Sequence, residues 1–152
     1  MFRSKQPAVV PHSSKRIEIT MRNVREIMEQ AYFVHRGTFD PARIEGGYAF
    51  DVFGTTDGSY WRDSQEVAAP DYRVHIKVNS DPARDSFKPG VIGGGQLHKN
   101  YAEIELSLDP AFVRDILYEL RRDSRRELRV AGDTISDDRF LATLFMLSAP
   151  SA

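Results

Sequence analysis

The sequence predicts an α+β domain, a mostly antiparallel sheet of about six strands with two amphipathic helices. Three observations lead there. Apolar and polar residues alternate in several short segments, an apolar stripe of helical spacing follows Asp109-Pro110, and turn residues separate successive strand patterns.

Taken in order, Ile17, Ile19 and Met21 alternate with Arg16, Glu18 and Thr20, the two-residue period of a half-buried strand. Val24, Ile27, Met28 and Ala31 then stand at i, i+3, i+4 and i+7 behind Asn23, an acceptable N-cap, so residues 24–34 read as a helix ending near Gly37. Residues 38–47, with a proline and a glycine pair, read as a loop. In the strand pattern GYAFDVFG, Tyr48, Phe50 and Val52 share one face, and Ala49, Asp51 and Phe53 the other. An Asp57-Gly58 turn predicts a hairpin returning through Ser59 to Arg62. Next, Tyr72, Val74, Ile76 and Val78 face away from Arg73, His75 and Lys77.

Residues 80–100 show no period, and within them lies KPGVIGGGQLHKN. A structureless connector of about 20 residues is unusual in a compact domain, so it is expected to be a lid or binding loop. Strand alternation resumes through Ala102, Ile104, Leu106 and Leu108. Asp109 caps a helix with Pro110 at its first position, an apolar stripe of Phe112, Val113, Ile116, Leu117 and Leu120, and Arg121 and Arg122 at its negative end. RELRVAG reads as a short strand and TISDD as a turn. RFLATLFMLS reads as a strand with Phe140, Ala142, Leu144 and Met146 on one face, a helix capped by Ser136 being the alternative.

The chain of 152 residues suits one domain, expected over residues 15–149 after a flexible lead-in of residues 1–14 rich in proline and serine. Its 21 basic and 22 acidic side chains leave a formal charge of -1, so no overall field draws it to nucleic acid or an anionic membrane, and neither partner is expected. It holds no cysteine, which excludes disulfides, thiol nucleophiles and cysteine-ligated metals and suits a cytoplasmic setting. No stretch has the apolar length of a signal peptide or a membrane span.

No motif names a reaction. Gly90 and Gly95 have the Walker separation, but Gln96 and Leu97 stand where lysine and serine or threonine belong. The dinucleotide pattern fails at His98, where the third glycine is needed. His12, His35, His75 and His98 share no metal-ligand spacing, so neither a metal nor any other cofactor is expected. The arginines at 121, 122, 125, 126 and 129 are threaded with Asp115, Glu119, Asp123 and Glu127, which reads as a salt-bridged helix end.

Asp51 interrupts an apolar run, and alignment with His75 on an adjacent strand would make an acid-base pair. His98 on a movable loop is the third candidate catalytic residue. The ligand-binding candidates are Tyr48, Phe50, Trp61 and Tyr72 as an aromatic lining, with Gly93, Gly94, Gly95 and His98 as the closing loop. The succession GYAFDVFGTTDGSYWR, DYRVHIKV, a helix and a strand ending VAGD resembles sterol-carrier-type lipid-binding domains over residues 46–146. The resemblance implies a hairpin, further strands and a helix before a late Gly-Asp strand, while the glycine-rich insertion and the Ile17 strand depart from it. The expected function is non-catalytic binding of a protein partner or an apolar small molecule, with a homodimer as the expected assembly. The alternative is a small enzyme whose His and Asp acid-base pair is assembled in an aromatic-lined pocket.

Overall fold

Alternating burial fixes the first strand, β1 (Arg16–Met21), with Ile17, Ile19 and Met21 inside. The computed structural model describes residues 15–35, 44–80, 90–123 and 125–148; the lead-in before residue 15 lies outside them. Past Arg22 the chain continues as β2 (Asn23–His35), then β3 (Ile44–Thr55), β4 (Ser59–Arg62), β5 (Gln65–Ala68) and β6 (Arg73–Asn79). There follow β7 (Gly93–Leu97), β8 (Tyr101–Ser107), helix α1 (Pro110–Arg122), β9 (Leu128–Thr134) and β10 (Arg139–Leu147).

These strands form one ten-stranded sheet in the order β2-β3-β6-β8-β7-β10-β9-β1-β4-β5, curled into a half-barrel. Neighbours run antiparallel except β6 and β8. β1 and β2 lie far apart in that order yet adjoin in sequence, and Arg22 between them donates its backbone N–H to Thr55 O at 2.9 Å. One bent strand therefore belongs to both halves of the sheet, which curls it. The inner face carries Phe50, Val52, Ile76, Leu106, Leu128 and Phe140, and α1 sets Val113, Ile116 and Leu120 into the same cluster.

The predicted α+β class, with six strands and two helices, is thus corrected to a mostly sheet protein with one helix among the described residues. Two local features explain most of the difference. A β-bulge in β2, between the pairs Val24↔Gly54 and Glu26↔Phe53, leaves Arg25 unpaired. Val24 and Ile27 therefore both pack against the core although three residues apart, while Arg25 and Glu26 are exposed. A spacing of three is also a helix spacing, and that coincidence made residues 24–34 look helical.

The glycine run is the second feature. Gly93, Gly94 and Gly95 lie in β7, a strand paired on both edges with β8 and β10, so this part of the expected loop is sheet. Glycine is required there by packing. A Cβ on Gly93 would strike the Glu105 backbone, and one on Gly95 would strike the Phe140 ring. Of the expected connector, residues 81–89 lie outside the described residues.

The Asp57-Gly58 turn is present, with φ values of 71° and 104°, but it does not make the predicted hairpin. β3 pairs with β2 and β6, whereas β4 pairs with β1 and β5. The pairing implied by the sterol-carrier resemblance is therefore absent. The tight hairpin lies one turn later, where Asp63 and Ser64 (φ 53° and 66°) join β4 to β5.

β10 is a strand as read, with a bulge between Ala142 and Leu144 that reverses its facing. Phe140 and Ala142 are buried, Phe145 and Leu147 pack against the core beyond the bulge, and Leu144 and Met146 turn outward. The helix at Asp109-Pro110 forms as predicted. The Asp109 carboxylate accepts from the backbone N–H groups of Ala111 at 2.9 Å and Phe112 at 3.4 Å. Among the described residues no helix is long and apolar enough to cross a membrane.

Candidate functional site

On the sheet face opposite the core, register alone places the polar residues of β3, β6 and β8 in rows. Asp51, Lys77 and Glu105 lie abreast, as do Phe53, His75 and Glu103, and as do Thr55, Arg73 and Tyr101. Because side chains alternate across a strand, inward Val52, Val74, Ile76, Ala102 and Ile104 compel this outward set.

Within these rows His75 Nε2 stands 2.7 Å from Asp51 Oδ1, a hydrogen bond between adjacent strands with both side chains partly buried. The Phe53 ring stacks on the imidazole, centroids 4.4 Å apart and planes 16° apart. The carboxylate and the ring together fix the imidazole orientation. The sequence left this contact conditional on strand pairing, and it is made diagonally, since Asp51 stands opposite Lys77 and His75 opposite Phe53.

His98 follows β7 and is held by structure. Its backbone N–H donates to Tyr101 O at 2.8 Å, its carbonyl accepts from the Tyr72 hydroxyl at 2.9 Å, and its ring stacks on Tyr101 at 4.3 Å. His98 Nε2 lies 3.0 Å from Glu103 Oε1, within ion-pair distance, but without hydrogen-bond geometry, so that buried nitrogen has no hydrogen-bond partner. Asp51, His75, Glu103 and His98 alternate acid with base over three neighbouring strands and the turn after β7, yet no group of three such side chains among the described residues could hold a metal ion.

A pocket of about 530 Å³ opens beside this array, lined by Arg25, Phe53, Arg73, His75, Tyr101 and Glu103 among others. A second, of about 470 Å³, continues from His75 and Glu103 across Lys77, Gln96 and Arg139. The bulge in β2 brings Arg25 to the first pocket, an instance of a bulge re-aiming a side chain. Arg73 lies over the Tyr101 ring, 5.7 Å from its centroid.

The sequence-chosen aromatic lining does not converge here. Phe50 and Tyr72 are core residues at 0% and 2% exposure. The Tyr72 hydroxyl is satisfied by the carbonyls of His98 and Tyr101, and burial, with Tyr60 nearby, pushes its ionisation up to about 12. Trp61 is half exposed on β4 and lines a separate recess of about 250 Å³ with Arg16, Ser64 and Ala131. The backbone of Tyr48 lies in β3 opposite Ala31, and its side chain is outside the described residues. Gly94 and Gly95 line the second pocket as rigid strand, whereas Gly93 is buried against β8.

Phe53, Arg73, Tyr101, Glu103 and Arg25 were missed as site residues. The first four occupy polar-face positions of their strands, so the signal for them was the alternation itself, read across paired strands. Arg25 had no such signal, because it depends on the bulge. The arginines of the basic run all face carboxylates, Arg121 that of Glu29, Arg122 and Arg126 that of Glu119, Arg125 that of Asp123 and Arg129 that of Glu18. No protein-family model, curated protein or solved structure matches the chain.

Proposed function

We propose that the chain is a non-catalytic binding domain that receives a small apolar molecule in the pocket beside His75. The observation that carries this reading is the pocket wall, where Phe53 stacked on His75 and Tyr101 stacked on His98 present two braced aromatic surfaces around about 530 Å³. That volume suits a drug-sized ligand, and rigid rings cost little ordering entropy on binding. A cytoplasmic setting suits a chain without cysteine.

Titration with N-phenyl-1-naphthylamine, a neutral fluorescent aromatic, tests the reading. Saturable binding of one probe per chain is expected, weakened about tenfold in Phe53→Ala and in Tyr101→Ala, a loss of about 1.4 kcal/mol each. Circular dichroism must show both variants folded. Absence of saturable binding, or affinity untouched by either substitution, overturns it.

A second reading, acid-base catalysis, is favoured by the Asp51–His75 hydrogen bond, since a carboxylate on one ring nitrogen orients the other for proton transfer. Hydrolysis of p-nitrophenyl acetate faster than free imidazole achieves, abolished in His75→Gln and strongly reduced in Asp51→Asn, would establish it. A rate equal to that of free imidazole would dismiss it.

A further inference from the structure

Two guanidiniums border the pocket. Among the described residues no carboxylate lies within ion-pair distance of Arg25 or Arg73, whereas all the arginines of the basic run from Arg121 onward are paired. Arg114 and Arg139 are likewise unpaired, but neither lines this pocket. Arg25 stands at the β2 bulge, beside the pairs that join β2 to Gly54 and Phe53. Arg73 lies opposite Thr55 on the other side of β3. The two cations thus flank the Phe53–Thr55 end of β3 from both neighbouring strands, and Phe53, Gly54 and Thr55 all line the space between.

We infer that the pocket takes a planar aromatic acid, its ring against Phe53 and Tyr101 and its carboxylate between Arg25 and Arg73. This inference rests on the apolar-pocket reading and adds the charge of the ligand to it. The chemistry follows from the groups present. A guanidinium presents its donors in a fork that matches a carboxylate, and Arg73 is already oriented by the Tyr101 ring, so less freedom is lost when the anion arrives. Asp71 and Glu103 also line the pocket. Neither carboxylate lies within ion-pair distance of Arg25 or Arg73: Glu103 lies 3.0 Å from His98 Nε2 and Asp71 stands on an exposed turn with φ 57°, so both guanidinium forks are open to an incoming anion.

Calorimetric titration with the matched pair 2-naphthoate and 2-naphthamide tests it, since the two share a ring and differ in charge. The acid is expected to bind at least about tenfold tighter than the amide, as charge-assisted hydrogen bonds imply. In Arg25→Met and Arg73→Met the ratio of acid to amide affinity is expected to shrink to about threefold or less, whatever the change in amide affinity itself. Equal affinity for acid and amide in the parent overturns the anion site and leaves the apolar pocket standing. Binding of neither overturns both. A preference that survives both substitutions overturns the assignment to these arginines. Should Arg73→Met disturb the Tyr101 contact and the fold with it, Arg25→Met, at an exposed bulge, decides alone.

Discussion

His75 Nε2 and Asp51 Oδ1 meet at 2.7 Å across β6 and β3, although the residues directly opposite are His75 with Phe53 and Lys77 with Asp51. The contact is therefore diagonal, the reach at which long or aromatic side chains on neighbouring strands still touch. A double-mutant cycle on Asp51→Ala and His75→Ala, read by urea unfolding at neutral pH, is expected to give a coupling of about 0.5–1 kcal/mol, as for a partly exposed side-chain hydrogen bond. Additive effects would show that the two side chains do not interact in solution.

The glycine strand makes a sharper prediction. The Phe140 ring occupies the place where a Cβ on Gly95 would lie, so Gly95→Ala forces ring or strand to move and is expected to cost about 1–3 kcal/mol. Shrinking the ring should relieve the clash. In the Phe140→Leu background the same alanine is expected to cost at least about 1 kcal/mol less, a coupling that calorimetric unfolding of the four proteins measures. Were Gly95→Ala neutral, residues 93–97 would be the loop that the sequence suggested.

Burial of Tyr72 sets the behaviour at high pH. Its hydroxyl holds its proton to about 12 in the folded chain, against an ordinary value of 10.0, chiefly because burial disfavours the phenolate and secondarily because of Tyr60. The stabilisation is complete below pH 10, where folded and unfolded chains are both protonated. Between pH 10 and 12 the unfolded chain binds fewer protons, so stability falls as pH rises. Tyr72→Phe is expected to remove this alkaline loss while costing about 1 kcal/mol at neutral pH through the missing hydrogen bond. An unchanged slope of stability against pH in the variant would rule out Tyr72 as the source.

What the sequence disclosed and what it hid divide along the bulges and the register. Where alternation ran unbroken, as at Ile17 to Met21 and Val74 to Val78, the strand and its buried face were legible from residue type alone. The same alternation put Asp51 and Phe53 on one face of β3, and Arg73 with His75 on one face of β6. That those faces form one surface was a fact of pairing, which one strand's pattern does not contain. Arg25 and Gly95 were hidden for different reasons, the first because an extra residue breaks the period and the second because its partner, Phe140, lies 45 positions away in the chain. A run of glycines reads as freedom until the ring that needs the space is known.

The bulge in β10 sets which of its side chains face the core. Unbroken alternation from Phe140 puts Leu144 and Met146 with Ala142 inside, and Phe145 outside. The bulge at Thr143 reverses this, leaving Leu144 and Met146 at 40% and 39% exposure while Phe145 and Leu147 pack against the core. Lysine substitution separates the alternatives, because a charge is tolerated on the outer face and costly against the core. Leu144→Lys and Met146→Lys are expected to cost less than about 1 kcal/mol, and Phe145→Lys more than about 2 kcal/mol, in urea midpoints at constant m-value. The opposite ranking would restore the unbulged strand, and with it a sheet in which Leu128 and Val130 of β9 face different neighbours.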